Sequence, residues 1–266
     1  MERKIKVGIF GLGLIGASIL KGLSAKKDYE IYCVTNSSLK LAKKYTKFAF
    51  ANIEALKVCD IVFVSCALSK TLNILDELNE ILPKKTIVVD VASVKKDLLD
   101  KKYNFNFILS HPMAGSEKSG FEASDKNLFN GAKWLVEKRN KILEQIIADL
   151  GAKSIKIDMK EHDYLCAQIS HLPTILSFAL FDCAKDEAKK IASSGFRDTT
   201  RLAMSNSDLA IGMLENNKEN ILKAFSVLIE KFNYLKNLSD DEKIEVFNAI
   251  KLKRSKMYDK NGKNIF

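Results

Sequence analysis

The stretch IKVGIFGLGLIG, residues 5–16, joins a short apolar run to a cluster of glycines. The run predicts a buried strand, and Gly11, Gly13 and Gly16 open a helical pattern that continues to about Lys26. In a dinucleotide-binding turn, the first glycine permits the tight turn and the second lets the backbone approach a pyrophosphate. The third lets the helix pack on the strand, and the phosphates face the helix N-terminus. The alternative is a glycine-rich turn without a ligand.

Further apolar runs alternate with helical patterns along the next 140 residues or so. Runs of this kind are typical of buried parallel strands in a doubly wound α/β sheet of the Rossmann type. The predicted strands are EIYCVT (30–35), DIVFVSCA (60–67), TIVVDVAS (86–93) and FNFILSH (105–111), and KWLVEK (133–138) and AKSIKID (152–158) add one or two more around a helix at 140–150.

The pattern becomes purely helical after about residue 158, with Pro173 expected to kink or restart a helix. We therefore predict two domains, a dinucleotide-binding domain at 1–158 and an all-α domain at 159–266. The helical part is short and its helices carry wide apolar faces. We expect it to complete its core against a second copy, as a homodimer.

The composition is that of a globular protein, with 47% hydrophobic and 29% charged residues among 266. The net charge of +10 comes almost entirely from lysines spread beside glutamates, without a basic arm, so we expect no nucleic-acid partner. We found no signal peptide and no apolar run approaching the roughly 20 residues of a membrane helix, and expect a soluble, cytoplasmic chain with no membrane partner. The five cysteines form no CxxC pair, so we expect reduced thiols and no metal site.

The residues that follow the second predicted strand do not decide between NAD and NADP as the cofactor. A site selective for NAD usually has an acid about 20 residues after the glycines, whereas here Thr35, Asn36, Ser37 and Ser38 follow the strand, with Lys40 nearby. Such a cluster can accept a 2′-phosphate. The predicted cofactor-binding residues are Gly11, Leu12, Gly13, Leu14, Ile15, Gly16, Thr35, Asn36, Ser37, Ser65, Ala67 and Ser93.

Ligands of doubly wound sheets lie beyond the carboxyl ends of the strands, where polar residues follow three of the apolar runs. Ser93 and His111 are expected to face the same crevice as the glycine turn. Ser93 has an alternative interpretation as the cap of a following helix, and His111 as an ordinary strand-end histidine.

The helical domain offers His171 in SHLPT and two arginines in GFRDTTR (195–201). An arginine gives a planar fork for a carboxylate, which lysine does not reproduce. The alternative is an arginine paired with Asp198 or with another structural carboxylate. His162 is interpreted as a residue at the start of a helix and is assigned no chemistry.

Five motifs in this order resemble the prephenate dehydrogenase family, which includes arogenate dehydrogenases: GLGLIG, DVASVK, HPMAGSEKSG, SHLP and GFRDTTR. The resemblance covers nearly the whole chain. It implies NAD(P)-dependent oxidative decarboxylation of prephenate to 4-hydroxyphenylpyruvate in tyrosine biosynthesis. The alternatives are conversion of arogenate to tyrosine and, in another class, a 3-hydroxy acid dehydrogenase of similar architecture.

The resemblance also implies roles for single residues. His111 matches the catalytic histidine that hydrogen-bonds the ring hydroxyl, and Ser93 matches the serine that orients it. Arg201 matches the arginine that holds a substrate carboxylate. The other matches, which line the substrate pocket or its mouth, are His171, Ser116, Glu117 and Asp198.

Overall fold

The glycine turn follows the first strand of a parallel sheet in the computed structural model of the chain, which describes residues 3–116 and 118–258. Within those residues the sheet has six strands in the order β3-β2-β1-β4-β5-β6. The order reverses between β1 and β4, the point at which doubly wound folds bind ligands. The strands are β1 (Ile5–Phe10), β2 (Tyr29–Val34), β3 (Phe48–Phe50), β4 (Ile61–Val64), β5 (Ile87–Asp90) and β6 (Asn106–Ile108).

Alternate residues of the central strands pack into two separate apolar cores. Ile61 and Phe63 of β4 lie in one core, whereas Val62 and Val64 lie in the other. This division follows from the two-residue period of a strand and requires helices on both faces. Both cores are filled by helices, α1 (Leu14–Leu23) and α4 (Lys141–Asp149) in the first and α3 (Leu68–Ile81) in the second; α2 (Leu39–Ala42) is one turn long.

A second sheet carries His111. Among the described residues it has three strands, β7 (Ser110–Pro112), β8 (Lys133–Val136) and β9 (Lys153–Lys156). β7 runs antiparallel to β8, with His111 opposite Leu135. The prediction of one strand at 105–111 is therefore wrong, because the run is divided at Leu109 between two sheets.

The remainder of the described chain is helical, as predicted. α5 continues through a π-helical segment, Ala167–His171, into α6, which has Pro173 in its first turn. α9 is kinked at Asn217, whose φ is −135°. The helices are α5 (Met159–Cys166), α6 (Leu172–Cys183), α7 (Asp186–Lys190), α8 (Ser194–Thr199), α9 (Ser207–Asn237) and α10 (Asp240–Met257), with 3₁₀ turns at Ile53–Val58, Lys96–Leu98 and Arg201–Met204.

The predicted fold class, a Rossmann-type sheet followed by a helical domain, is confirmed by this order of elements. By compactness the chain divides into the units Met1–Ile221 and Leu222–Phe266. The first unit contains both sheets and all of α1–α8. The second contains the end of α9 and all of α10.

The run Met159–Cys183 is long and apolar enough to cross a membrane by length and composition alone. Core helices of soluble proteins pass the same test. Here the run carries His162, Asp163 and His171, all buried and hydrogen-bonded within the first unit. We therefore interpret it as a helix of the folded domain.

Candidate active site

The three glycines of the turn are required for different reasons. Gly11 has a φ of +86°, which side chains rarely adopt, and a Cβ there would lie 2.9 Å from the carbonyl oxygen of Ser65. A Cβ on Gly16 would lie 2.1 Å from the carbonyl oxygen of Gly11. Gly13, which precedes α1, has no atom within 4 Å of such a Cβ. The fold itself explains Gly11 and Gly16, and the open space beside Gly13 fits a bound pyrophosphate.

The end of β2 lies beside this turn, since the Gly11 amide donates to the Val34 carbonyl at 3.0 Å. Thr35 is buried, and its hydroxyl accepts from the Ser38 amide at 3.3 Å. Asn36 is exposed. The other predicted cofactor residues differ in exposure: Leu12 is buried, Leu14, Ile15, Ser65 and Ser93 are half-buried, and Ser37 and Ala67 are exposed.

Ser65 has a structural role in addition to its predicted one. It follows β4, and its hydroxyl donates to the Gly11 carbonyl at 2.7 Å. This bond ties the end of β4 to the glycine turn. The contact stabilises the conformation of the glycine turn.

A buried ion pair lies at the end of β5, next to β7. The Lys95 ammonium donates to Asp90, to the Ala92 carbonyl at 2.7 Å and to the Ser110 carbonyl at 2.6 Å. Burial lowers the pKa of Lys95, and the Asp90 carboxylate opposes that effect. All three ammonium protons are thus used, as a buried lysine requires.

Ser110 extends this network to the residue that precedes His111. Its amide donates to Asp90 at 3.0 Å, and its hydroxyl donates to the Asp90 carbonyl at 2.7 Å. The Trp134 indole donates to the same hydroxyl at 3.0 Å. The backbone that carries His111 is therefore held from both sheets.

His111 forms a hydrogen-bonded chain with two residues of α5, His162 and Asp163. Its Nδ1 lies 3.0 Å from Nε2 of His162, and Nδ1 of His162 lies 2.7 Å from the Asp163 carboxylate. Asp163 also accepts from the amides of Lys95 and Lys96, both at 2.8 Å. Burial opposes ionisation of Asp163, but these hydrogen bonds hold its pKa below the ordinary value.

The chain determines where the protons of both imidazoles lie. An ionised carboxylate only accepts, so the Nδ1 proton of His162 points to Asp163, and with that as its single ring proton His162 accepts at Nε2. His111 must then donate from Nδ1, which leaves its Nε2 without a proton. Burial, followed by the positive charge of Lys95, lowers the pKa of His111 well below 6.5. His111 is therefore a neutral imidazole with an accepting Nε2.

His171 is also neutral, with its proton on the other nitrogen. The Asn217 amide donates to Nδ1 of His171 at 2.9 Å and to the Asp163 carbonyl at 2.7 Å. Nδ1 must accept, so the proton lies on Nε2. Burial lowers the pKa of His171 to about 4, against the opposing charge of Asp163. His171 thus offers an N–H donor.

Cys166 lies against the two histidines of the chain. Its sulfur is 3.5 Å from Nε2 of His162 and 3.8 Å from Nδ1 of His111. Burial raises the pKa of the Cys166 thiol to about 12. All five cysteines are free thiols, and Cys183 is exposed.

Arg201 begins a 3₁₀ turn, is exposed, and makes no hydrogen bond or ion pair with any described residue. Asp198 pairs instead with its neighbour Arg197, whose Nε lies 2.9 Å away. The alternative of a structural pair with Asp198 therefore applies to Arg197. Arg201 is left available for a ligand.

The roles of Ser93, Ser116 and Glu117 stay predictions. Ser93 is half-buried in a bend, and its hydroxyl has no hydrogen-bond partner in the described part of the chain. The alternative that Ser93 caps the next helix is wrong, because Lys95 directly precedes that turn. Ser116 accepts from the Lys118 amide at 3.1 Å. Glu117 lies outside the described residues.

His162 and Asp163 were missed by the sequence interpretation, which assigned His162 to a helix start. Asp158 performs that task, since its carboxylate accepts from the Lys160 amide. A usable signal was present. His162 and Cys166 are one helical turn apart on the face that also buries Met159.

Comparison with known proteins gives two family matches. Residues 25–156 match the model described as the prephenate dehydrogenase nucleotide-binding domain, and residues 158–252 match the prephenate dehydrogenase dimerization domain. The glycine turn precedes the first matched residue. Together the matches extend over most of the chain.

Individual relatives agree with these matches. A prephenate dehydrogenase of Lactococcus lactis subsp. cremoris is 33% identical over 231 residues, which cover 80% of this chain and 65% of that protein. The structure resembles the Synechocystis arogenate dehydrogenase, with a TM-score of 0.82, 28% identity and coverage of 95% and 99% of the two chains. It resembles equally, at TM-score 0.82 and 28% identity with 95% and 98% covered, an Aquifex aeolicus prephenate dehydrogenase solved with hydroxyphenyl propionate and NAD+.

Proposed function

The chain belongs to the prephenate dehydrogenase family, and on that premise we propose that it oxidatively decarboxylates prephenate to 4-hydroxyphenylpyruvate, a step of tyrosine biosynthesis. The relatives it matches are dehydrogenases, which places it among the oxidoreductases. The single observation that carries the proposal is the hydrogen-bonded chain from Asp163 through His162 to Nδ1 of His111, from which we infer that Nε2 of His111 is an acceptor. Such a base is what removal of a hydroxyl proton requires.

His111 moves one proton in this reaction. A bound nicotinamide supplies the acceptor for the hydride that leaves C4 of the ring. As that hydride leaves, Nε2 of His111 accepts the proton of the C4 hydroxyl, and the ring carboxylate departs as CO2. The ring becomes aromatic, and His111 returns the proton to the phenolate oxygen. No net proton is gained or lost by the protein.

His162 and Asp163 position and support this base. While Nε2 of His111 holds the proton, the imidazolium donates from Nδ1 to His162, and Asp163 lies one hydrogen bond further along. A base oriented by a third group is the general arrangement of activated acid–base sites. We name His162 a positioning residue, since its role is exerted through His111.

Substrate binding is assigned to the helical domain. Arg201, which is exposed and has no carboxylate partner among the described residues, provides a fork for a substrate carboxylate. His171 donates from Nε2 to another oxygen. Ser93, Ser116, Glu117 and Asp198 keep the roles that the family resemblance implies, as parts of this proposal.

The dinucleotide is assigned to residues 1–158, with the pyrophosphate beside Gly13 and the adenosine ribose near Thr35. Residues 35–38 contain no acid, so they do not exclude a phosphate at the 2′ position of the adenosine ribose. We propose relaxed use of NAD and NADP. An Asn36→Asp variant should lower kcat/KM for NADP at least about tenfold, because a carboxylate repels the 2′-phosphate.

Kinetics with two substrates and two cofactors test the proposal. Formation of NAD(P)H with prephenate, and CO2 release, are the expected results. The likeness to an arogenate dehydrogenase supports arogenate as the second candidate substrate. Absence of turnover with both substrates and both cofactors would refute the assigned reaction, and a preference above tenfold for NAD would refute relaxed cofactor use.

The assembly and its location complete the proposal. We assign residues 159–266 to substrate binding and to a homodimer, supported by the match to a dimerization domain. We propose a soluble enzyme of the cytoplasm, where its thiols remain reduced.

A further inference from the structure

We propose that His111, His162 and Cys166 form a binding site for a thiophilic divalent cation, represented by Zn²⁺, and that the bound cation inactivates His111 as a base. The three ligand atoms lie within 4.8 Å of one another. This inference departs from the sequence expectation of no metal site, which was based on cysteine spacing alone.

The distances fit tetrahedral coordination. Nδ1 of His111 and Nε2 of His162 are 3.0 Å apart, and the Cys166 sulfur lies 3.8 Å and 3.5 Å from them. With Zn–N bonds of about 2.05 Å and a Zn–S bond of about 2.3 Å, a tetrahedral ion separates two nitrogens by roughly 3.3 Å and a nitrogen from a sulfur by roughly 3.6 Å. The present separations differ from these values by only a few tenths of an ångström.

Two of the ligands come from one helix and are already oriented. His162 and Cys166 are four residues apart in α5, on the face that is buried. The nitrogen of His162 that would not bind the ion donates to Asp163, and the amides of Lys95 and Lys96 hold that carboxylate. A carboxylate behind a ligating histidine is the usual support of a zinc site.

The local charges also favour a divalent cation. On binding, Cys166 loses its proton and becomes a thiolate. The thiolate and the Asp163 carboxylate together balance the two positive charges of the ion. Lys95, the nearby cation, is already paired with Asp90. The buried group that results is neutral, which a low-dielectric site requires.

The consequence for His111 follows from its tautomer. A cation bound at Nδ1 displaces the proton from that nitrogen, and a neutral imidazole must then carry its proton on Nε2. Nε2 therefore becomes a donor and no longer accepts a proton from a hydroxyl. This inhibitory effect rests on the proposed function, whereas the binding site does not.

Binding is tested with Co²⁺, whose bond to a thiolate gives a charge-transfer band in the near ultraviolet. Titration of the full chain should give this band with visible d–d bands, saturating at about one equivalent per chain, and Zn²⁺ should abolish them. Cys166→Ala should remove the band, and Cys183→Ala, at an exposed cysteine, should retain it. Absence of the band in the parent protein, or its persistence in Cys166→Ala, would overturn the site. If the alanine variant does not fold, Cys166→Ser takes its place.

Inhibition is tested separately by the rate of NAD(P)H formation. Zn²⁺ should inhibit the parent enzyme, and EDTA should restore its activity. Relative to its own metal-free rate, Cys166→Ala should need at least about tenfold more Zn²⁺ for half inhibition than the parent enzyme. Full activity of the cation-loaded enzyme would overturn the inhibitory role while leaving the site in place. Absence of activity in the metal-free enzyme would refute the proposed function, and the cobalt spectrum would still decide the site.

Discussion

At His111 the position of a single proton depends on Asp163, a carboxylate that His111 does not touch. His162 lies between them. Its Nδ1 donates to Asp163, so its Nε2 accepts, and His111 must therefore donate from Nδ1. The arrangement makes Nε2 of His111 an acceptor before any substrate arrives. This pre-set tautomer costs no reorganisation at the moment of proton transfer, which is how fixed polar groups assist catalysis.

Removal of the His162 imidazole should therefore affect the reaction more than substrate binding. His162→Ala should lower kcat about 10- to 100-fold and change the KM of prephenate less than about threefold. His162→Gln, whose amide oxygen can accept from Nδ1 of His111, should recover part of kcat. The measurement is steady-state kinetics at saturating cofactor.

A double-mutant cycle provides the control for this prediction. His111→Asn alone should lower kcat by roughly 10²- to 10⁴-fold. Adding His162→Ala to it should cost little more, because residues that act as one unit are not additive. Fully additive losses would contradict the positioning role and indicate a general effect of His162 on folding.

His171 gives a prediction on stability instead of rate. Its folded pKa of about 4 lies below the value of about 6.5 in an unfolded chain, so the unfolded state binds more protons between these pH values. The stabilisation is complete above pH 6.5 and is lost as the pH falls towards 4. The ionisable groups facing His171 from α5 are the Asp163 carboxylate, which opposes the shift of the His171 pKa, and the His162 imidazole, which adds to it.

The variant His171→Gln isolates this contribution. Between pH 6.5 and pH 4 the free energy of unfolding should fall less steeply in the variant, by up to roughly 1.4 kcal/mol per pH unit. Urea unfolding at several pH values measures it. The parent protein and the variant share the other histidines, so the contributions of those histidines cancel when the two free energies of unfolding are subtracted. Parallel curves would contradict a buried neutral His171.

At the scale of elements, the turn between β1 and α1 separates what the fold needs from what a ligand needs. Gly13→Ala should leave Tm within about 2 °C, because its Cβ meets nothing, yet raise the KM of the dinucleotide at least about tenfold. Gly16→Ala should instead lower Tm by roughly 5 °C or more, because its Cβ meets the Gly11 carbonyl. Gly212→Ala, also in open space, is the control that should change neither. Unchanged cofactor kinetics in Gly13→Ala would contradict a phosphate at this turn.

The sequence predicts the long elements well because apolar runs and helical periodicity are local signals. β3 escapes prediction, since its three residues are too few for a period. The division of residues 105–111 between two sheets is equally invisible, because it depends on β8, which begins at Lys133. His162 was missed for the same reason, as its partner His111 lies 51 positions away. The domain boundary at residue 158 stays a prediction.

At the scale of the whole molecule, large apolar side chains remain exposed on the last two helices. Phe232 of α9 is 64% exposed, and Ile244 and Phe247 of α10 are more than half exposed. A monomeric soluble protein rarely leaves so many large apolar groups in water. The exposure agrees with the match to a dimerization domain and with the proposed homodimer.

A charge on this surface should weaken the dimer. Phe232→Glu should convert the protein to a monomer at micromolar concentration, as measured by light scattering, because a carboxylate is costly to bury in an apolar interface. Val58→Glu changes a half-exposed apolar residue of the nucleotide-binding domain and should leave the dimer intact. A parent protein that is already monomeric would contradict the proposed assembly.

The π-helical segment Ala167–His171 has a consequence for how this gene can vary. Such a segment is equivalent to one residue inserted into a regular α-helix. Loss of a single codon between 167 and 170 would restore regular geometry and leave hydropathy and helix propensity nearly unchanged. Because the wide π turn accommodates that extra residue, the side chains after the deletion would keep their direction relative to His162. His171 would remain against Asn217, so a one-residue deletion, which would rotate the rest of a regular helix by about 100°, should be tolerated at this segment.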